Sequence, residues 1–224
     1  MNKNDIEILI PTFNEEGNIE QVIKDLHFEG FNNITLLDAN SIDNTVLIAK
    51  QYDCKILLDN ENIKGFGGSI INGLKNLNSN YFCIFDGDNS FDPKAIDLMM
   101  REMTNGYDFV FGTRYFGGAK SEDDTIFSKF ANFVISKIVK ILFRINTTDV
   151  LFFYVLGKKE NIAKLDLKQQ DMRICTEFLI KSYRNFKCKE ILSKERKRFS
   201  GVSKVNKAFE GLKILGNILK LYFN

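Results

Sequence analysis

The sequence predicts an α/β fold, with a mostly parallel central sheet and helices on both faces, and three observations lead there. Short runs rich in Ile, Leu and Phe recur through the first half, stretches with helical spacing separate them, and polar loops follow the runs. Strands alternating with helices imply β-α-β crossovers, whose fixed handedness puts the strands parallel and the helices over both sheet faces.

Taken in order, IEILI at 6–10 reads as a strand, Asn18 to Phe28 as a helix and NITLLD at 33–38 as the next strand. DNTVLIAKQY at 43–52 is a second helix, KILLD at 55–59 a strand, GGSIINGLKNL at 67–77 a helix and YFCIFD at 81–86 a strand. Asp92-Pro93 opens the helix PKAIDLMMREM, with Pro93 suited to its first turn. YDFVFGTR at 107–114 resumes strand character. From about residue 116 the pattern changes: Gly117-Gly118 and the acidic SEDD precede a long apolar helical stretch at 126–145, and later segments are less regular. No Pro/Gly/Ser-rich linker divides the chain, so one domain is expected.

Composition narrows the class. The hydrophobic share of 44% over 224 residues supports a packed core and excludes a largely disordered chain. A net charge of +2 gives no protein-wide field for nucleic acid, and no nucleic-acid partner is expected. Cys54, Cys83, Cys175 and Cys188 are widely spaced with no CxxC pair, which reads as buried thiols in a reducing compartment. The N-terminus lacks a secretory apolar run, and Lys129, Lys137, Lys140 and Arg144 interrupt the most apolar region, so a cytoplasmic protein is expected. The one histidine, His27, falls on the first helix and reads as a surface or packing residue rather than a catalyst.

Ligands of open α/β sheets collect beyond the carboxyl ends of the strands, so the loops there carry the chemistry. FDGDNSFDP at 85–93 places Asp86 and Asp88 after a buried strand, where two carboxylates suit a hard divalent cation; a solvated Asp-rich turn is the other reading. PTFNEEGN at 11–18 and DANSIDNT at 38–45 bring Thr12, Asn14, Glu15, Asp38 and Ser41 to the same edge, together a set of acceptors for a nucleotide's base and ribose and for metal, or, taken singly, helix caps at Asn14-Glu15 and Ser41 to Asn44. NIKGFGGSI at 62–70 offers Lys64, Gly65 and backbone N–H groups to phosphate, or supplies a tight turn and close helix packing. Its spacing fits neither a Walker loop nor a dinucleotide fingerprint.

The ordered set resembles the family 2 glycosyltransferases of the GT-A fold, especially their dolichyl- or polyprenyl-phosphate sugar transferase branch. The matching stretches are Pro11-Thr12-Phe13-Asn14-Glu15, Leu37 to Thr45, Asn62 to Gly68, Asp86-Gly87-Asp88 and Gly112-Thr113-Arg114. The resemblance implies an inverting, metal-dependent transferase with a nucleotide diphosphate sugar donor. Pro11, Thr12, Asn14, Glu15, Asp38, Ser41, Lys64, Gly65, Gly87 and Arg114 would hold the donor, and Asp86 and Asp88 would hold Mg²⁺ or Mn²⁺. Residues 1–118 then form a nucleotide-sugar-binding half and 119–224 an acceptor-side half with amphipathic helices. Where relatives often carry a second Asp and a Gly after Asp38, this chain has Ala39 and Asn40.

Thr148-Asp149 resembles the start of the family's acceptor motif, which implies a catalytic or acceptor-positioning Asp149, against a structural one. The VLFFYV run beyond it lacks the Gly-Phe-Arg-like sequence of the polyprenyl-phosphate branch. Glu177 lies in a helix-like segment as either a cation-holding or a surface residue. Arg196-Lys197-Arg198 and Gly201-Val202-Ser203-Lys204 resemble the element that closes over phosphate, making Arg198 catalytic and Lys204 a donor ligand. The implied acceptor is a polyprenyl phosphate at the cytoplasmic membrane face, with a saccharide hydroxyl in surface polysaccharide synthesis, or a non-catalytic nucleotide-sugar or membrane-binding module, as alternatives. Apolar faces at 126–143 and 206–223 suit burial against the sheet, a second subunit in a homo-oligomer, or peripheral membrane contact.

Overall fold

The structure, a computed structural model, describes residues 1–115, 126–197 and 207–223. Strands β1 (Ile6–Thr12), β2 (Ile34–Asp38), β3 (Lys55–Leu58), β4 (Tyr81–Ile84) and β5 (Phe109–Thr113) alternate with α1 (Ile19–Phe28), α2 (Thr45–Gln51), α3 (Gly65–Lys75) and α4 (Lys94–Thr104). Then follow α5 (Ile126–Phe143), β6 (Val155–Lys158), α6 (Ile162–Leu165), α7 (Arg173–Asn185), β7 (Cys188–Leu192) and α8 (Lys207–Phe223). The seven strands form one sheet in the order β3-β2-β1-β4-β6-β5-β7. All neighbours run parallel except β6, which is antiparallel to both β4 and β5.

Side chains alternate across each strand, so one sheet supplies two cores. Ile6, Ile8, Ile10, Cys83 and Val110 face one layer with Val22, Ile23, Leu26, Ile96 and Met99 of α1 and α4. Leu9, Phe82, Ile84, Phe109 and Phe111 face the other with residues of α3, α5, α7 and α8, including Ile70, Val139, Phe178 and Ile218. Both faces are covered, and β1, β2 and β5 therefore read as nearly continuous apolar runs.

Two groups of buried aromatic rings frame the sheet and the loop after β4. Phe178 meets Phe82, Phe109, Phe111 and Phe153 edge-on at centroid distances of 5.4–6.3 Å and binds α7 to the sheet. Beneath the loop after β4, Tyr154 stacks on Phe91 at 4.5 Å and meets Phe85 at 5.4 Å, while its hydroxyl donates to the Asp92 carbonyl at 3.0 Å. That second group fixes the 85–92 loop from below. Register completes the site's frame: Thr12 pairs with Asp38, and Leu9 with Ile84, so the loops after β1, β2 and β4 open from one sheet edge.

Candidate active site

At the end of β2 the Asp38 carboxylate is fully buried and accepts hydrogen bonds from Thr12 Oγ1 (3.2 Å), Ser41 Oγ (2.6 Å) and Ser41 N (2.8 Å). Asp38 thus ties its own loop to the end of β1. The two loops are laced further where Asn14 N donates to Ser41 Oγ (2.9 Å), Ile42 N to Asn14 Oδ1 (2.9 Å) and Glu15 N to Thr45 Oγ1 (2.7 Å). Asn14 and Asn40 both take left-handed backbone, at φ 55° and 59°, a region Asn tolerates better than most residues. Asn40 at the family's Gly position is accommodated in that way, and its Nδ2 donates to the Asp59 carbonyl at 3.1 Å.

Asp86 and Asp88 follow β4. Asp88 is buried and accepts the Ser90 N–H at 2.9 Å, which sets its loop, while Asp86 is half-buried. Gly87 lies so close to β1 that a Cβ would stand 3.1 Å from the Thr12 methyl and 3.2 Å from the Pro11 carbonyl. The middle position therefore favours Gly because it lets the loop after β4 lie close against the end of β1. Among the described residues no three His, Cys, Asp or Glu side chains gather around a metal position. The two carboxylates fit a hard cation that takes its remaining oxygen ligands from a diphosphate and water.

The glycine-rich segment has a packing explanation. A Cβ on Gly67 would sit within 2.4 Å of the Gln169 carbonyl oxygen, and Gly68 N donates to the Gln170 carbonyl at 3.0 Å. Gly67 and Gly68 thus serve the approach of the 169–171 backbone to α3. Lys64 and Gly65 are exposed at the N-terminus of α3. Glu177 is buried, accepts Lys168 N (3.0 Å), Gln169 N (2.8 Å) and Lys181 Nζ (2.8 Å), and so holds that same 168–171 loop.

Arg114 and Asp149 are brought together. The Asp149 carboxylate is fully buried and receives Arg114 Nε (2.8 Å), Arg114 Nη2 (3.0 Å), Arg114 N (3.1 Å) and Asn132 Nδ2 (2.7 Å). Arg114 also donates to Glu195 (3.1 Å), and its guanidinium lies 4.9 Å from the Phe152 ring. Below this pair Glu190 accepts Thr147 Oγ1, Thr148 N and Thr148 Oγ1. Burial pushes the Glu190 carboxyl above its ordinary range; these hydrogen bonds oppose the shift, and nearby Asp149 adds to it.

Past β7, Arg196 donates to Asp25 and Asp92 at 2.7 Å each and fastens the chain beside the 85–92 loop. Arg198 and Lys204 lie outside the described residues. Sequence reasoning missed Asn132, Glu190, Glu195 and Arg196. All four act through partners distant in sequence, and only Arg196 carried a signal, as the first residue of the basic run.

The family model described as Glycosyl transferase family 2 matches residues 7–166. An uncharacterized protein of Methanocaldococcus jannaschii is 27% identical over 232 residues, which cover 98% of this chain and 93% of that one. A dolichol-phosphate mannosyltransferase of Pyrococcus furiosus is 27% identical over 186 residues; the match covers 79% of this chain but about half, 52%, of that relative. Among solved structures, glucosyl-3-phosphoglycerate synthase from Mycobacterium tuberculosis with Mn²⁺, UDP and glucosyl-3-phosphoglycerate superposes with a TM-score of 0.79 at 13% identity, covering 96% of this chain and 78% of that one. A second complex of that enzyme, with Mn²⁺, UDP and phosphoglyceric acid, gives a TM-score of 0.78 at 14% identity over 97% of this chain and 78% of that one.

These neighbours correct the expected polyprenyl phosphate acceptor, since the complexes matching nearly the whole chain hold a small water-soluble acid. Val150, Phe152, Phe153 and Tyr154, where a lipid-phosphate motif would follow Asp149, are packed into the core and run into β6. The fold is the expected GT-A α/β fold, and the chain belongs to glycosyl transferase family 2.

Proposed function

We propose that this enzyme transfers a sugar from a uridine diphosphate sugar to a hydroxyl of a soluble acceptor, either a small phosphorylated acid or a saccharide. The observation that carries the reading is the meeting of Thr12, Asp38, Asp86 and Asp88 at the carboxyl ends of three adjacent strands, β2, β1 and β4. Support for UDP and for a small acid comes from the complexes of the structural neighbours.

In this reading the laced loops at 12–15 and 38–41 hold the nucleoside, and Lys64 faces the diphosphate. Asp86 and Asp88 hold Mg²⁺ or Mn²⁺, which when bound supplies positive charge to the departing diphosphate. The acceptor oxygen bonds to the anomeric carbon as the bond from that carbon to the diphosphate oxygen breaks, and the hydroxyl proton passes to solvent. Asp149 acts as a positioning residue, because four N–H donors already occupy its oxygens. Through Arg114 it fixes the floor on the acceptor side.

A UDP-release assay over UDP-sugars, with Mg²⁺ or Mn²⁺ and a panel of phosphorylated acids and saccharides, tests the proposal. One donor and one hydroxyl acceptor should together stimulate release, and Asp88→Asn should lower turnover by roughly 10²-fold or more without lowering the thermal midpoint. Full activity in Asp88→Asn, or release that needs no divalent cation, overturns the metal assignment. Turnover with nucleoside diphosphate sugars other than UDP alone overturns the donor.

A further inference from the structure

The outer faces of α5 and α8 carry side chains that the transfer reaction does not use. On α5, Phe130, Phe133, Lys137, Lys140 and Ile141 are exposed and, at 100° per residue, fall within an arc of about 100°. The opposite face, with Ile135 and Val139, enters the core. On α8, Leu212, Gly216, Leu219 and Phe223 form a similar outward stripe, while Ile214 and Ile218 are buried. Exposure is large for the apolar members: 66% for Phe130, 60% for Phe133, 71% for Leu212 and 81% for Phe223. The helices pack against each other, and the Phe143 and Tyr222 rings meet edge-on at 5.8 Å.

Charge decides what fits such a surface. Helix α5 carries Lys129, Lys137 and Lys140 with no carboxylate, Arg144 follows its last turn, and α8 adds Lys213 and Lys220. The one carboxylate on α8, Glu210, is engaged by Lys213 Nζ at 2.8 Å. A second copy docking through a twofold axis would set the same cations against one another, and the described residues of the two helices carry no carboxylate besides Glu210 to receive them. An anionic lipid surface accepts both components, because headgroup phosphates receive the ammonium groups while the rings enter the boundary below. The Lys137 ammonium already lies 5.9 Å from the Phe133 ring, so one side chain of each kind shares the contact. Among the described residues no helix is long and apolar enough to cross a membrane, and the contact is therefore one of lying on the surface.

We propose that the α5–α8 face docks this enzyme onto anionic phospholipid. The full chain is sedimented with phosphatidylcholine vesicles and with phosphatidylcholine–phosphatidylglycerol vesicles, at low and high salt. Binding should require the anionic lipid and weaken with salt, and Lys137→Gln with Lys140→Gln should reduce the partition coefficient about 25-fold, roughly fivefold per cation. Phe133→Ser with Leu212→Ser should also release the protein, while UDP release from soluble substrates stays at the wild-type level. Failure to sediment with anionic vesicles, or binding undiminished by both double variants, overturns the proposal. A lipid-free dimer in sedimentation equilibrium that Leu212→Ser abolishes also overturns it, by assigning the face to a second copy.

Discussion

The Asp149 carboxylate sits at zero exposure with three donors from Arg114 and one from Asn132, so its ionised form depends on partners rather than on water. Removing one side of such a pair leaves a buried charge whose desolvation nothing offsets. Arg114→Met should therefore destabilise the fold by about 3–5 kcal/mol, read from urea midpoints, and Arg114→Met with Asp149→Leu should restore most of that loss. Glu190 gives the opposite kind of signal. Burial raises its folded-state pKa, the threonine hydrogen bonds offset part of that shift, and Asp149 adds to it. Between the unfolded carboxylate value and the raised folded value, the folded state binds more protons, so stability falls as pH rises through that window. Relative to Glu190→Gln, the wild-type unfolding free energy should decline as pH rises out of the ordinary glutamate range and level off once the folded-state carboxyl has also ionised. A difference that stays flat with pH would place Glu190 outside this linkage.

The strand ends were legible because each depends on a local pattern: an apolar run stops, and Pro11-Thr12, Asp38 or Asp86-Gly87-Asp88 follows it. β6 and β7 were not, since β6 is a four-residue VLGK that shares only Val155 with the apolar VLFFYV run before it and β7 is a half-exposed CKEIL, neither with a period that separates strand from helix. The glycine segment shows the same limit at a finer grain. Its pattern announced close approach, but the approaching backbone, Gln169 to Asp171, comes from a distant loop held by Glu177. The helices distinguish two uses of glycine that the sequence writes alike. On Gly67 a Cβ would meet backbone atoms at 2.4 and 2.8 Å, whereas on Gly216 of α8 it would meet nothing within 4 Å. Gly67→Ala should cost about 1–3 kcal/mol as an overpacked contact, and Gly216→Ala should gain about 0.5–1 kcal/mol from helix propensity. Thermal midpoints moving in opposite directions would bear out both; a shared direction would refute one.

At the scale of the whole molecule, a chain whose two halves suggested different tasks folds around one sheet, with β6 of the later half inserted between β4 and β5 of the earlier. The cysteines report on whether that shared sheet makes the unfolding cooperative. Cys83 and Cys175 are both buried, but Cys83 belongs to the core under α1 and α4 and Cys175 to the core under α7. Burial pushes both thiols up, Cys175 to about 12, so native labelling by a thiolate-dependent reagent near neutral pH must await an opening that exposes them. Cys54, at 8% exposure and with its thiol raised to about 11 by burial and then by Asp53, should also resist. If β6 locks the halves together, Cys83 and Cys175 share the global opening free energy, and their labelling rates, followed by mass spectrometry at increasing urea, should merge on one line with the global m-value. Were residues 119–224 able to open alone, Cys175 would label at lower urea and with a shallower slope than Cys83. Convergence is expected, because opening the later half strips β6 from between two strands of the earlier one and exposes both edges at once.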